Sequence, residues 1–321
     1  LPDNLMHGDE ALFRHELVRD IAETRALLLR DVSLLPNGFL VSGARVLRES
    51  FHNPDEVRIG VRRNAKAAWY LARTRKSCNV ETALLVTDEF SNGFFHWVCD
   101  VLPRLEALNP AEAHSRTIVV PAMAALPYVK PSLEPYGFPE TCLSGWNERI
   151  HCHDLMSITP AAPTGNYRPS LMHALRRRFR DYFGYGPPER RLYVSRARAL
   201  RRKVANEEET FAVLCRHGFE RVFMEEMTFA EQVRLVGSAK VLVGNHGAGL
   251  ANIAWMSPGT TVLELRLRGD GLNNCYFSLA SSQGVRYRYL ACAVAGQHPD
   301  PHTADLLVDP AALDKEISSI E

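Results

Sequence analysis

Hydrophobic and polar positions change period several times along the chain, and the changes mark the expected elements. Residues 10 to 30 predict a helix. From 32 to 62, short apolar runs are cut by Pro36-Asn37-Gly38 and His52-Asn53-Pro54, which predicts a β-rich opening of short strands. At Thr82 the pattern becomes an apolar strand, Ala83-Leu84-Leu85-Val86, then a helix after Asn92-Gly93, a strand over 117 to 120 and a helix near 125 to 137. Prolines and glycines punctuate residues 160 to 190 around one helix, 170 to 183, and the domain junction is placed there. A second alternating run follows, with strands over 191 to 195, 219 to 224, 240 to 244 and 260 to 265 and helices over 206 to 217, 229 to 238 and 248 to 256. The expected fold is therefore α/β: two Rossmann-like domains facing a cleft, 1–183 and 184–321, with a β-rich N-terminal segment.

Composition narrows the function. A chain of 321 residues, 46% hydrophobic and 23% charged, has enough apolar material for about two domains. Its 38 basic and 37 acidic residues leave a net charge of +1, which argues against a surface built to coat nucleic acid or an anionic membrane. No apolar stretch approaches the roughly 18 residues that span a bilayer. The opening Leu1-Pro2-Asp3-Asn4 lacks the order of a signal peptide, so a soluble, cytoplasmic protein is expected, with room for an anchor before Leu1. Seven scattered cysteines without Cys-x-x-Cys predict reduced, mostly buried thiols and no metal framework.

The densest chemical pattern runs from Val241 to Asn252, an apolar strand entering Gly244-Asn245-His246-Gly247-Ala248-Gly249 and then a helix. Backbone N–H groups in such a turn can hold a diphosphate. Asn252 stands where the dinucleotide fingerprint wants Gly, and a tight turn without a ligand remains an alternative. Glu264, in the next strand, lies where a carboxylate can accept ribose hydroxyls, or it faces water on an edge. Residues 176 to 203 hold 11 basic side chains against Asp181 and Glu189. Arg196, ending the strand Arg191 to Ser195, and Arg202 are expected to neutralise a diphosphate, whereas most of the other arginines read as a solvated face. Asn206 opens the following helix, and Glu226 ends a strand that can face the same cleft. Thr228 and Glu231 form a capping box, which is structural.

Upstream, His96 and Asp100 are four residues apart on one helix face, and Arg104 continues that face toward Asp100. A His near a helix N-terminus, its tautomer fixed by a carboxylate, suits a general base; the alternative is a His packed among aromatic rings. His151 and His153 would share a strand face as in some metal sites, without a second ligand pair in the sequence.

Three segments together resemble glycosyltransferase family 61, which contains bacterial capsule-biosynthesis proteins, plant xylan arabinosyl- and xylosyltransferases and animal O-linked N-acetylglucosaminyltransferases. They are His-x-x-x-Asp-x-Leu-Pro-Arg-Leu from His96, Tyr193-x-Ser195-Arg196 with the Asn206-Glu207 pair, and Glu226 to Leu265. The resemblance implies a GT-B fold and an inverting, metal-independent transfer from a nucleotide-sugar donor to a glycan acceptor, in capsule or lipopolysaccharide assembly. No cofactor beyond the donor and no metal is implied. Carried over by position, His246, Gly247, Ala248, Gly249 and Asn252 would surround the donor, Arg196 and Arg202 its diphosphate, and Glu264 its ribose. Asn206 and Glu226 complete the donor set, and His96 and Asp100 are the catalytic pair on the acceptor side, with the order of their roles open. Attachment to a membrane face or a glycan-assembly complex is an accompanying expectation, with no nucleic-acid partner. A catalytically silent nucleotide-sugar-binding subunit is the alternative of a different class, and a nicotinamide oxidoreductase is disfavoured by the missing third glycine.

Overall fold

A computed structural model describes residues 1–54, 57–296 and 303–320. They form two compact units, Ile21–Thr164 and, joined together, Leu1–Asp20 with Gly165–Glu321. Both are mixed α/β, and each has its own sheet.

In the unit Ile21–Thr164 the strands are β1 (Ala26–Leu34), β2 (Leu40–Ser42), β3 (Arg45–Val46), β4 (Arg75–Leu85), β5 (Thr117–Val120), β6 (Thr141–Leu143) and β7 (Glu148–Ile158), ordered β3-β2-β1-β7-β4-β5-β6. Strands β7, β4, β5 and β6 are parallel, and β1 to β3 extend them antiparallel. Winding from β4 runs through β5 to β6, then returns to the other side of β4 for β7, so the direction reverses between β4 and β7. Ala83, Leu84, Leu85 and Val86 are buried, as a central strand covered on both faces requires.

The helix expected over 10 to 30 does not form. Short turns at Glu10–Phe13 and Arg14–Glu16 give way to β1, which pairs with β7 from Ala26 opposite Ile158 to Leu34 opposite Ile150. Strand pairing overrides the helix propensity of the Ala-Leu run. Within the stretch expected to hold short strands, β2 and β3 do form, a helix starts at Val61 and continues to Arg73, and residues 55 and 56 lie outside the described ones. The helix after Gly93 is α over Phe94–His96, π over Trp97–Val101 and α again over Leu102–Glu106. Pro103 has no N–H to give the preceding turn, which accounts for the local loosening.

The second unit carries β8 (Arg190–Val194), β9 (Glu220–Val222), β10 (Ala239–Asn245), β11 (Thr261–Leu267), β12 (Arg286–Val294) and β13 (Leu306–Leu307), ordered β13-β12-β11-β10-β8-β9. Strands β8 to β12 are parallel, and β13 closes the edge antiparallel. Counted from β8, the parallel part reads 2-1-3-4-5, a doubly wound sheet whose switch point lies between β8 and β10. One face packs Tyr193, Val241, Val243, Leu263 and Leu265 on the helices Glu207–Arg216 and Pro310–Ser318. On the helix Pro169–Phe183, Phe179 stacks on Trp255 at 4.6 Å, and Phe229 meets Trp255 edge-on at 5.9 Å. This helix therefore belongs with the second unit, and a division at 183/184 would cut it away from its core. Residues 1–20 also pack here, with Phe13 between Phe277 at 5.1 Å and Tyr289 at 5.3 Å. The Thr228 capping box forms, with Thr228 N–H donating to Glu231 at 2.7 Å and Glu231 N–H donating back to Thr228 Oγ1 at 3.3 Å. Among the described residues no helix is long and apolar enough to cross a membrane.

Candidate active site

The doubly wound order directs attention to the carboxyl ends of β8 and β10, because loops leaving neighbouring strands in opposite directions open a crevice there. Ser195 and Arg196 leave β8, and Asn245, His246 and Gly247 end or follow β10. The Arg196 guanidinium lies over Gly247, where a Cβ would come within 2.3 Å of Nη1. Gly247 is thus required by close approach rather than by its φ of 166°, which is ordinary extended backbone. Arg196 Nε and Nη2 donate to the carbonyls of Arg202 and Arg201, each at 3.2 Å. Asn245 Nδ2 also donates to the Arg202 carbonyl, and Arg202 holds a left-handed φ of 56°, uncommon for a residue with a Cβ. Burial, then the neighbouring Arg202 charge, lowers the pKa of Arg196 below the usual arginine value. Two guanidinium groups close enough to depress one another's proton affinity form a site that favours an anion.

His246 is held from below. Its Nδ1–H donates to Glu264 Oε1 at 2.6 Å, and Tyr287 OH donates to Glu264 Oε2 at 2.5 Å. Burial alone would raise the Glu264 pKa, but the hydrogen bond from His246, with Arg266 and Tyr287, holds it below the usual carboxylate range. Arg266 Nη1 donates in turn to Tyr287 OH at 3.1 Å. The ionised carboxylate fixes the imidazole tautomer with the proton on Nδ1, which leaves Nε2 as the acceptor.

The carboxyl side of β4 carries a second polar constellation. His96 Nδ1–H donates to Asp100 Oδ2 at 2.7 Å, across the π turn. The Phe90 ring stacks on His96 at 5.2 Å. Thr164 Oγ1 donates to Asp100 Oδ2 at 3.1 Å and lies 2.6 Å from His52 Nε2, so one side chain touches both groups. The Thr164 N–H also donates to His52 Nε2 at 3.2 Å, which leaves the proton on Nδ1, donated to Asp88 Oδ2 at 3.1 Å. Arg104 completes the chain through Asp88, and its Nη1 donates to the Val86 carbonyl at 3.0 Å. Arg104 therefore serves Asp88, not Asp100 as helical spacing suggested. Burial pushes the Asp88 pKa up, yet the His52 hydrogen bond and the Arg104 charge outweigh it and hold the carboxyl well below its ordinary value.

The structure brings together Arg196, Arg202, His246, Gly247 and Glu264 in one unit, and His96 with Asp100 in the other. Ala248 and Gly249 open the Ala248–Trp255 segment, which is a 3-10 helix in place of the expected α-helix. Other candidates are occupied elsewhere. Glu264 is fully buried with both oxygens engaged, so it orients His246 and presents no oxygen to a ribose. Asn252 is fully buried, donating to Gln232 Oε1 at 3.0 Å and accepting from Trp255 Nε1 at 2.9 Å, and it braces the glycine-rich turn. Asn206 bonds both ways with Val308, at 2.8 and 3.1 Å, tying the start of its helix to the C-terminal segment. Glu226 pairs with Arg198 at a half-exposed position.

His52, Asp88, Thr164 and Tyr287 were not anticipated as site residues; only Asp88, three residues beyond β4, carried a positional hint. His151 and His153 share a strand face as expected, and cross-strand Asp31 joins them, its Oδ1 3.1 Å from His153 Nδ1 and 4.0 Å from His151 Nε2. This group could accept a metal ion on the sheet face opposite Ile150 and Cys152, which are buried in the core. All seven cysteines are free.

Comparison with known proteins adds a family to this geometry. The profile described as Glycosyltransferase 61 matches residues 94–263, just over half of the chain, from two residues before His96 to one before Glu264. EGF domain-specific O-linked N-acetylglucosamine transferases are similar in sequence. That of Drosophila melanogaster is 36% identical over 110 residues, covering 32% of this chain and 21% of the fly protein. Those of Pan troglodytes and Bos taurus are 30% identical over 137 residues and 29% over 135, each match covering 40% of this chain and 25% of the relative. The chain thus matches a quarter or less of the length of these relatives. With more than half of its residues aligned in order, and both polar constellations at the carboxyl ends of the sheets, the chain belongs to the glycosyltransferase 61 family.

Proposed function

We propose that this protein is an inverting, metal-independent glycosyltransferase of GT-B type, moving a sugar from a nucleotide-sugar donor to a glycan hydroxyl. Surface polysaccharide assembly of the capsule or lipopolysaccharide kind is its proposed setting. The observation that carries the proposal is the Arg196 guanidinium seated over Gly247 beside a carboxylate-held His246, at the switch point of the second sheet. In this assignment Arg196 and Arg202 meet the charge that develops on the leaving diphosphate, the task a divalent ion performs in other transferases. His96 Nε2 takes the proton of the attacking hydroxyl as the anomeric carbon is approached from the face opposite the nucleotide. Asp100 stabilises the imidazolium that results. N-acetylglucosamine, which the relatives' names carry, is the first donor sugar to try.

Calorimetric titration with UDP, GDP and TDP tests the donor site. Arg196→Ala removes charge-assisted hydrogen bonds worth about 1.5 to 3 kcal/mol, so affinity for the bound diphosphate is expected to fall roughly ten- to a hundredfold. Unchanged binding in the variant would remove Arg196 from the site. Binding without any donor turnover would favour a silent nucleotide-sugar-binding subunit.

A further inference from the structure

Beside the His96 constellation, in the same unit, lies an open pocket that the proposed chemistry does not yet use. One wall is the helix Val61–Arg73, which contains four basic residues and no acidic one. Arg62, Lys66 and Tyr70 follow each other at four-residue spacing, so they form one stripe along the helix, with Arg63 alongside, and all four line the pocket. Arg63 is steadied by Phe51, whose ring centroid lies 4.5 Å from the guanidinium carbon, and by a 2.7 Å bond to the Arg58 carbonyl. Trp146, a large ring 60% exposed, also lines the pocket. Glu89 and Asn92 come from the loop that also supplies Asp88 and the Phe90 ring stacked on His96. The pocket and the candidate base therefore share a wall.

Three cations against the single carboxylate of Glu89 give this pocket a net charge of +2. Guanidinium forks match the paired oxygens of a carboxylate or phosphate, and the aromatic faces of Trp146 and Tyr70 suit the C–H face of a pyranose ring. A neutral sugar would leave the net positive charge of the lining uncompensated. We infer that this pocket binds the acceptor, and that the acceptor is an anionic saccharide whose carboxylate or phosphate is held by Arg62, Arg63 and Lys66. The inference rests on the proposed transferase activity only for the word acceptor; recognition of an anionic sugar stands on the pocket itself. Glu89 and Asn92 then receive and donate hydrogen bonds to hydroxyls on the side nearest His96.

The test is binding to the full chain without donor, at low salt, with three probes: a disaccharide ending in glucuronate, its carboxyl-reduced glucose counterpart, and glucose 6-phosphate. At least one anionic sugar is expected to bind about tenfold or more tightly than the neutral one, and which of the two does so separates carboxylate from phosphate as the natural group. The double variant Arg62→Gln with Lys66→Gln, both at exposed positions, is expected to abolish that preference while leaving UDP affinity and donor hydrolysis unchanged. Trp146→Ala is expected to weaken anionic and neutral sugars alike. Equal binding of all three sugars, a preference that survives the double variant, or inorganic phosphate binding as tightly as either anionic sugar would each overturn the inference. Donor hydrolysis absent from a protein that still prefers the anionic sugar would count against the transferase and leave the pocket's specificity standing.

Discussion

His96 and Asp100 are bonded partners on adjacent helical turns, yet their side chains are 28% and 5% exposed. The imidazole can meet a substrate, whereas the carboxylate is enclosed by His96 and Thr164. Under the proposed function this difference favours His96 for the proton transfer and Asp100 for the positioning role, an order that spacing alone left open. His96→Gln is expected to lower kcat by roughly 10² to 10⁴ with nucleotide affinity nearly unchanged. Asp100→Asn should lower kcat less and shift the pH profile, because the imidazolium loses its compensating charge. Steady-state rates across pH, with diphosphate binding measured in parallel, separate the two. Rates within a few fold of the parent in both variants would make the pair a packing feature of the helix.

At the scale of elements, what could be read from sequence followed from how locally each feature is determined. His96 and Asp100 were legible because a helix brings residues four apart together whatever surrounds it. Arg196, His246 and Glu264 were legible because apolar strands end or run through them, and a parallel sheet collects strand ends. The role of Glu264 was not legible: that it orients His246 depends on Tyr287 of β12, 23 residues later, covering its second oxygen. His52 and Thr164 meet across 112 residues, and no local pattern announces such a contact. The first half of β1, residues 26–30, reads as the end of a helix because an Ala-Leu run suits either, and only pairing with the distant β7 decides between them. The helix Val61–Arg73 and its basic stripe have no counterpart in the sequence reading, which places short strands up to residue 62 and no element from there to Thr82.

For the molecule as a whole, two buried carboxylates link fold to pH. Asp88 and Glu264 each titrate below their ordinary values of about 3.9 and 4.3, despite burial, because His, Arg and Tyr partners favour the charged form. The folded chain therefore binds these protons less readily than the unfolded chain. Their stabilisation is fully present above about pH 5 and is lost as pH falls through the lowered folded values. Asp88→Asn leaves the buried Arg104 without its charge partner, so it should cost roughly 3 kcal/mol at pH 7 and flatten the acid limb of stability against pH. Denaturant melts between pH 7 and pH 3 check this, and an acid limb as steep as the parent's would exclude Asp88 as its source.

Transfer itself is tested most directly by following the anomeric proton of the turned-over sugar by NMR, with UDP-N-acetylglucosamine first and other nucleotide sugars after it, in the presence of chelator. The expected result is a product of inverted anomeric configuration, formed at a rate that chelator leaves unchanged and that His96→Gln nearly abolishes. Retained configuration, dependence on an added divalent ion, or full activity in the His96 variant would contradict the proposed mechanism.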